Sequence, residues 1–472
     1  DGDVPSKPFG GDEEITYTPD GKSVIFGARI AGSTEPWSTN FDLYRVPADG
    51  SAKPENITGD GASTDTGPVI SADGRLLAYR AMKRPGFEAD RYAIMVREIG
   101  RDGAIGPARE IAPKWDRSPD ALQFSPDGRK LYATADDLGQ HRVFAIEVSN
   151  GKVKALTGDG HVDGFALARD ALIVAHNTLS SPNQLYKIRL SGSAPLQLTQ
   201  HNAAALNALA FGDYEQFSFK GWNDEKVYGY VVKPVGYVKG KKYPIAFIIH
   251  GGPQGSMAND FHYRWNPQTY AGAGFAVVFI DFHGSTGYGQ AFTDAISGHW
   301  GDRPLEDLQK GYAAALAKYD FLDEKRAAAL GASYGGDMVN WIAGNWSAPW
   351  KALVNHDGVF DNRSMAYSTE ELWFDEWENQ GTQFERPANY EQFNPVNHVA
   401  KWRVPMLVVQ GGKDFRIPLE QGIATFTALQ RRGIPSQLLH FPDENHWVLK
   451  PQNSVQWHET VLEWIKRWTA AE

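Results

Sequence analysis

Three Asp-Gly turns, Asp20-Gly21, Asp73-Gly74 and Asp127-Gly128, recur at spacings of 53 and 54 residues, and this repeat constrains the fold more than any other feature. Each is flanked by short runs of alternating apolar residues, such as Ser23 to Phe26, Leu76 to Tyr79 and Leu131 to Ala133. A second set of turns follows at Asp49-Gly50, Asp102-Gly103 and Asn150-Gly151. Asp-Gly and Asn-Gly supply the positive φ that tight hairpin turns need. A repeat of about 40–55 residues holding four strands predicts a β-propeller. A weaker fourth unit runs from His161 to about Thr199, with a strand expected over Gln184 to Leu190. Four blades are thus recognisable over residues 1–212, and further blades are expected to be missing at the N-terminus. A β-sandwich or an open β-rich array is the alternative.

The pattern changes near Asp213. From there apolar runs alternate with helix-length segments, as in a mostly parallel α/β sheet, so residues 213–472 are expected to form an α/β-hydrolase domain. Strands are predicted over Tyr243 to Ile249, Phe275 to Ile280, Arg326 to Leu330, Ala352 to Asn355, Met406 to Gln410 and Gln437 to Phe441, with helices over Leu305 to Tyr319 and Val455 to Trp468. The 472 residues allow two or three domains. With 47 basic and 57 acidic residues the net charge is −10, and no basic block suggests nucleic acid. No apolar run approaches a membrane span. The absence of cysteine removes disulfides, Cys-ligated zinc and thiol chemistry. The chain begins at Asp1, which implies processing or a missing upstream part.

Gly331-Ala332-Ser333-Tyr334-Gly335 matches G-x-S-x-G. The pattern alone is weak, but here it follows an apolar strand and precedes a helix-length segment. That is the context of a nucleophile elbow. A serine hydroxyl needs a base, and the usual chain order in this fold is Ser, then Asp or Glu, then His. Asp414, just past the Met406 to Gln410 strand, and His446, in the loop after Gln437 to Phe441, fill those places. His440 lies inside a strand, His458 on the last helix, and Asp357 comes too early in that order. The oxyanion hole is expected from the N–H of Tyr334 and from Gly252 in the His250-Gly251-Gly252-Pro253 loop, for which a plain turn is the alternative. This chemistry calls for no metal and no cofactor.

With the β repeats ahead of it, this set resembles the prolyl oligopeptidase family of serine peptidases. The motifs that carry the likeness are His250 to Pro253, Gly331 to Gly336, Asp414-Phe415-Arg416-Ile417-Pro418 and Glu444-Asn445-His446. Within the family the likeness is to the bacterial branch holding dipeptidyl-peptidase 5 and acylaminoacyl-peptidase-like enzymes, on the stretch Tyr367 to Phe374. The resemblance implies that Arg416 binds a substrate carbonyl. It also marks two departures: fewer blades than the family's usual six to eight, and no region ahead of the propeller of the kind that often buttresses the hydrolase. The paired amine-binding glutamates of dipeptidyl peptidase IV have no assigned match.

The expected activity is release of dipeptides from free N-termini through an acyl-enzyme. The alternatives are an acylaminoacyl peptidase or esterase with the same triad, and a propeller scaffold with an inactive hydrolase. A free amine needs a carboxylate partner. Candidates are Glu370, Glu371 and Glu376, with Asp12, Glu13 and Glu14 at the start of the repeats. Phe360, Tyr367 and Trp373 are candidate pocket aromatics, and core packing explains any of them equally well. Peptides are the expected partners, without nucleic acid or membrane, and a homo-oligomer is left open. A periplasmic or secreted bacterial location is expected, with the cytoplasm still open.

Overall fold

The computed structural model describes residues 2, 4–5, 10–190 and 194–471. They divide into two compact units: Asp1–Thr178 with Pro182–His201 and Gly287–Gln290, and Leu179–Ser181 with Asn202–Thr286 and Ala291–Glu472.

The first unit contains four successive four-stranded antiparallel meanders. They are Ile15–Tyr17 to Glu55–Asn56, Asp65–Ile70 to Arg109–Ile111, Pro119–Phe124 to Val153–Ala155, and His161–Leu167 to Leu196–Gln197. A single parallel bridge, His141 to His161, joins the last two. The turns predicted from Asp-Gly and Asn-Gly connect strands within the first three meanders. Their glycines have φ between 66° and 82°. The first set is a fuller motif than the dipeptide: Thr18, Ser71 and Ser125 each donate a hydroxyl to the carboxylate two residues on, at 2.7 Å. The same carboxylate oxygen accepts the backbone N–H of Lys22, Arg75 or Arg129. These hydroxyl bonds, ahead of the backbone ones, hold Asp20, Asp73 and Asp127 below the usual carboxylate range.

Strand alternation explains how the meanders pack. Successive side chains point to opposite faces. In Leu76–Ala81, Leu77 and Tyr79 join Ile25 and Leu43 of the first meander, while Ala78 joins Leu122, Leu131 and Phe144 of the third. In Lys130–Asp136, Leu131 and Ala133 face back, while Tyr132 joins Val162, Leu172 and Ile188 of the fourth. Each inner meander therefore buries both faces against its neighbours in the chain.

The second unit is built on one eight-stranded sheet. Its strands are β1 (Tyr214–Lys220), β2 (Lys226–Val232), β3 (Tyr243–Ile249), β4 (Ala276–Asp281), β5 (Leu322–Ala332), β6 (Trp350–His356), β7 (Met406–Gly411) and β8 (Ser436–Phe441). The spatial order is β1-β2-β4-β3-β5-β6-β7-β8, with β1 and β2 antiparallel and the rest parallel. A parallel sheet covered on both faces reads as near-continuous hydrophobic runs, and β4 and β7 are buried at every position. Helices α1 (Arg303–Lys318) and α2 (Tyr334–Asn345) lie between strands in sequence, and α3 (Leu372–Glu378), α4 (Leu419–Arg431) and α5 (Pro451–Trp468) follow β6, β7 and β8. On one face Trp457, Val461, Trp464 and Ile465 of α5 pack with Ile248, Leu330, Val354 and Val409. On the other, Phe247 meets Tyr312 of α1 and Trp350 edge-on or tilted at 5.5–5.6 Å. No helix among the described residues is long and apolar enough to cross a membrane.

Candidate active site

Ser333 sits between β5 and α2 with φ 58° and ψ −125°. A non-glycine residue at positive φ is strained and persists only where its surroundings impose it. Here they do. The Ser333 N–H donates to His356 O at 3.0 Å, and its carbonyl starts α2 by accepting the Asp337 N–H at 2.9 Å. The turn is so tight that a Cβ on Gly331 would overlap the Gly335 carbonyl, and one on Gly335 would overlap the Ile249 carbonyl. This is the physical reason for glycine on both sides of the serine. The turn leaves Ser333 at the C-terminal edge of the sheet, where open α/β sheets gather their ligands.

Asp414 and His446 reach the same edge from the ends of β7 and β8. His446 Nδ1 donates to Asp414 Oδ2 at 2.6 Å, and both side chains are buried. Asp414 Oδ1 accepts the backbone N–H groups of Arg416 and Ile417, both at 2.9 Å. The carboxylate is thereby fixed in place, and its bond to Nδ1 leaves the lone pair of the imidazole on Nε2. Asp357, at the end of β6, lies close by. One oxygen from each carboxylate and one imidazole nitrogen all fall within 4.8 Å of one another. Ligand spacing of this kind also suits a cation, but the His446–Asp414 hydrogen bond already engages two of the three groups.

The loop of His250 to Pro253 runs beside the nucleophile: a Cβ on Gly251 would stand 3.0 Å from that of Ser333. His250 anchors it. Its ring stacks on Phe282 at 4.2 Å, Nε2 bonds Ser285 Oγ at 2.8 Å, and burial holds the imidazole below its usual range. Gly252 follows at φ 118°. Tyr334 is the first residue of α2, so its N–H has no acceptor within the helix. Its hydroxyl donates to Trp300 O at 2.7 Å.

Glu370, Glu371 and Arg416 come together. The Glu370 N–H donates to Phe415 O at 2.8 Å, docking this segment on the loop that carries Asp414. Arg416 Nη2 lies 2.6 Å from Glu371 Oε1, its Nε is 3.9 Å from Glu370 Oε1, and the guanidinium covers the Trp447 ring at 5.1 Å. Phe360 and Tyr367 make other contacts. Phe360 is buried with its ring edge-on to Trp402 at 5.9 Å, and Tyr367 is exposed and donates to Gln383 Oε1 at 2.6 Å. Glu376 is half-buried, and burial raises its carboxyl. Asp12, Glu13 and Glu14 form a short 3-10 turn in the first unit.

Sequence reading passed over Trp300, Phe374, Gln254 and Glu378. The Trp300 ring meets Tyr334 edge-on at 5.1 Å and Phe374 at 5.8 Å. Buried Glu378 accepts from Trp300 Nε1 and Gln254 Nε2, both at 2.8 Å, and from Ser297 Oγ at 3.1 Å. It ties the loop beyond Pro253 to an aromatic wall beside the elbow. Gln254, directly after the His-Gly-Gly-Pro motif, and Phe374, at the end of the Tyr367 to Phe374 stretch, carry a signal in the sequence; Trp300 and Glu378 carry none.

Residues 261–472 match the model of the prolyl oligopeptidase family. A probable dipeptidyl-peptidase 5 of Aspergillus clavatus is 39% identical over 99% of this chain and 66% of its own length. Dipeptidyl-peptidase 5 of Aspergillus fumigatus is 37% identical over 99% of this chain and 67% of its own. This chain therefore spans about two thirds of the length of these relatives. The fold is shared with the acylaminoacyl peptidase of Pyrococcus horikoshii, at a TM-score of 0.82 and 21% identity over 96% of this chain and 70% of that one.

Proposed function

The chain belongs to the prolyl oligopeptidase family, and from that premise we propose that it is a serine exopeptidase releasing dipeptides from the free N-terminus of oligopeptides. The observation that carries the reading is the 2.6 Å bond from His446 to Asp414, two strands along the same sheet edge from the Ser333 elbow. Ser333 Oγ attacks the scissile carbonyl while His446 Nε2 takes its proton. Asp414 stabilises the imidazolium that forms. The N–H groups of Tyr334 and Gly252 receive the developing oxyanion. His446 then returns the proton to the leaving amine, and water releases the acyl group by the reverse sequence. Neither a metal nor a cofactor enters.

The Glu370, Glu371 and Arg416 cluster suits a dipeptide's polar ends. Arg416, oriented by Glu371, donates to a substrate carbonyl. Glu370, half-exposed and 3.9 Å from the guanidinium, receives the ammonium. An ammonium leaving water needs such a partner. Trp300 and Phe374 line the pocket for the residue before the cut. The relatives named dipeptidyl-peptidase 5 support this reading. One observation favours acylaminoacyl peptidase instead: Glu371 is already neutralised by Arg416, and an uncharged acyl terminus would suit such a site. We read the four meanders as propeller blades, supported by the way each inner one packs on both neighbours. A secreted or periplasmic location suits a peptide scavenger of this kind.

The test is a panel of free and N-acetylated dipeptide chromogens. The free form should be preferred by at least about 10²-fold, because acetylation leaves the carboxylate desolvated and unpaired. Equal cleavage of both forms would replace the dipeptidyl reading with acylaminoacyl peptidase.

A further inference from the structure

We propose that Asp357 acts together with Asp414 on His446, as a second carboxylate that stabilises the imidazolium formed during catalysis. The inference rests on the triad reading above and adds a positioning residue to it. Asp357 is 1% exposed and takes φ 47°, in the left-handed region. Its position is set from several sides. Its N–H donates to Val409 O at 2.9 Å, and its Oδ1 accepts the Gly411 N–H at 3.1 Å. Both contacts are to β7, the strand that leads to Asp414. The preceding carbonyl, of His356, accepts the Ser333 N–H. One residue thus abuts the strand of the acid and adjoins the hydrogen bond that holds the nucleophile.

The charged groups around Asp357 come from four directions. His356 of its own strand has Nε2 at 2.9 Å from Asp357 Oδ2. Asp414 lies beyond β7 and His446 beyond β8, all three groups within 4.8 Å. Arg264, from the segment between β3 and β4, adds an attraction, while burial lowers its own guanidinium to about 10. Burial pushes the Asp357 carboxyl above its ordinary range and the charge of Asp414 adds to this, while His356 and His446 oppose it. A buried negative charge this close to an imidazole favours its protonated form. The structural alternative gives Asp357 only the task of capping the Gly411 N–H.

Asp357→Asn separates the two, because the amide oxygen can still accept from Gly411 while the charge is gone. The acid-limb pKa of kcat/KM should fall by about one unit, since the imidazolium loses a stabilising neighbour. A purely structural role leaves that pKa where it was, and this result would overturn the proposal. The second variant, Asp414→Asn, keeps Asp357. It should lose about 10²-fold in kcat instead of the roughly 10⁴-fold expected where one aspartate acts alone. Adding Asp357→Asn to it should cost at least another tenfold. A full 10⁴-fold loss in Asp414→Asn by itself also sinks the idea, even if Asp357→Asn alone does not fold. Ser333→Ala and His446→Ala serve as controls: if they remain active, it is the triad reading that fails, and if they are dead while the Asp357 profile is unmoved, only this inference fails.

Discussion

Gly411→Ala tests whether the catalytic pair depends on a backbone contact. Gly411 is the last residue of β7, three before Asp414. A Cβ there would overlap the carbonyl oxygen of Asn445, the residue before His446, and stand 2.9 Å from that of Glu444, where ordinary contact begins at 3.4 Å. Both obstacles are backbone, so no side chain can swing away. The His446 loop must retreat by roughly 1 Å, and a misplacement of that size costs about 10²-fold in rate. Overpacking of this kind costs about 1–3 kcal/mol, which a domain stable by about 5–15 kcal/mol survives. The expected result is kcat/KM on a free dipeptide chromogen reduced about 100-fold, with a folded spectrum and a Tm lower by a few degrees. Gly272→Ala is the control. A Cβ at that position meets nothing within 4 Å, so activity should be unchanged. Wild-type kcat/KM in Gly411→Ala, or a loss matched by the unfolded fraction, would refute the reasoning.

Three further outcomes are expected. Ser333→Ala should lower kcat by roughly 10⁴–10⁶ and abolish labelling by a fluorophosphonate, whereas a label found on another serine would displace the assignment. Glu370→Gln should erase most of the preference for free over acetylated dipeptides, and Glu371→Gln should raise KM by releasing Arg416; a preference that survives both changes would remove this cluster as the amine site. Asp375, buried in α3 and hydrogen-bonded by Tyr390 at 2.9 Å, is pushed by burial from 3.8 up to about 7. Its folded pKa lies above the unfolded one, so its contribution to stability is complete below about pH 4 and is lost as pH rises through about 7. Thermal melts should therefore show Asp375→Asn gaining on the wild type between pH 5 and pH 8, and a constant difference would contradict this.

The parts of this molecule written in local sequence were legible. The Asp-Gly and Asn-Gly turns fall between strands as expected, and β3 spans Tyr243–Ile249 as read. β5 runs longer than the Arg326 to Leu330 core, reaching Leu322–Ala332, because its partly exposed start carries charged residues that hide it from an apolar pattern. The Asp414–His446 bond followed from chain order. What could not be read was contact between distant segments. The glycine of Gly411 looks like any turn residue until the Asn445 carbonyl is seen against it. Trp300 has no motif, and its neighbours Tyr334, Phe374 and Glu378 are 34 to 78 residues away. Chain order gives Asp357 no place beside Asp414, because it says nothing of β6 and β7 lying side by side.

The two units also differ in how far along the chain their partners lie. In the first, Ile15 pairs with Phe26 and Leu131 with Ile146, across turns of a few residues. In the second, Ile249 pairs with Gly331 and His356 with Val409. Closing a long loop costs entropy before its contacts repay it, so chains rich in distant pairings fold more slowly. On refolding from denaturant, hairpin order in the first unit should therefore precede the parallel sheet, and peptidase activity should return last. In that interval the half-made sheet presents unpaired apolar strands such as β4 and β7, and it is then that the chain is most exposed to aggregation.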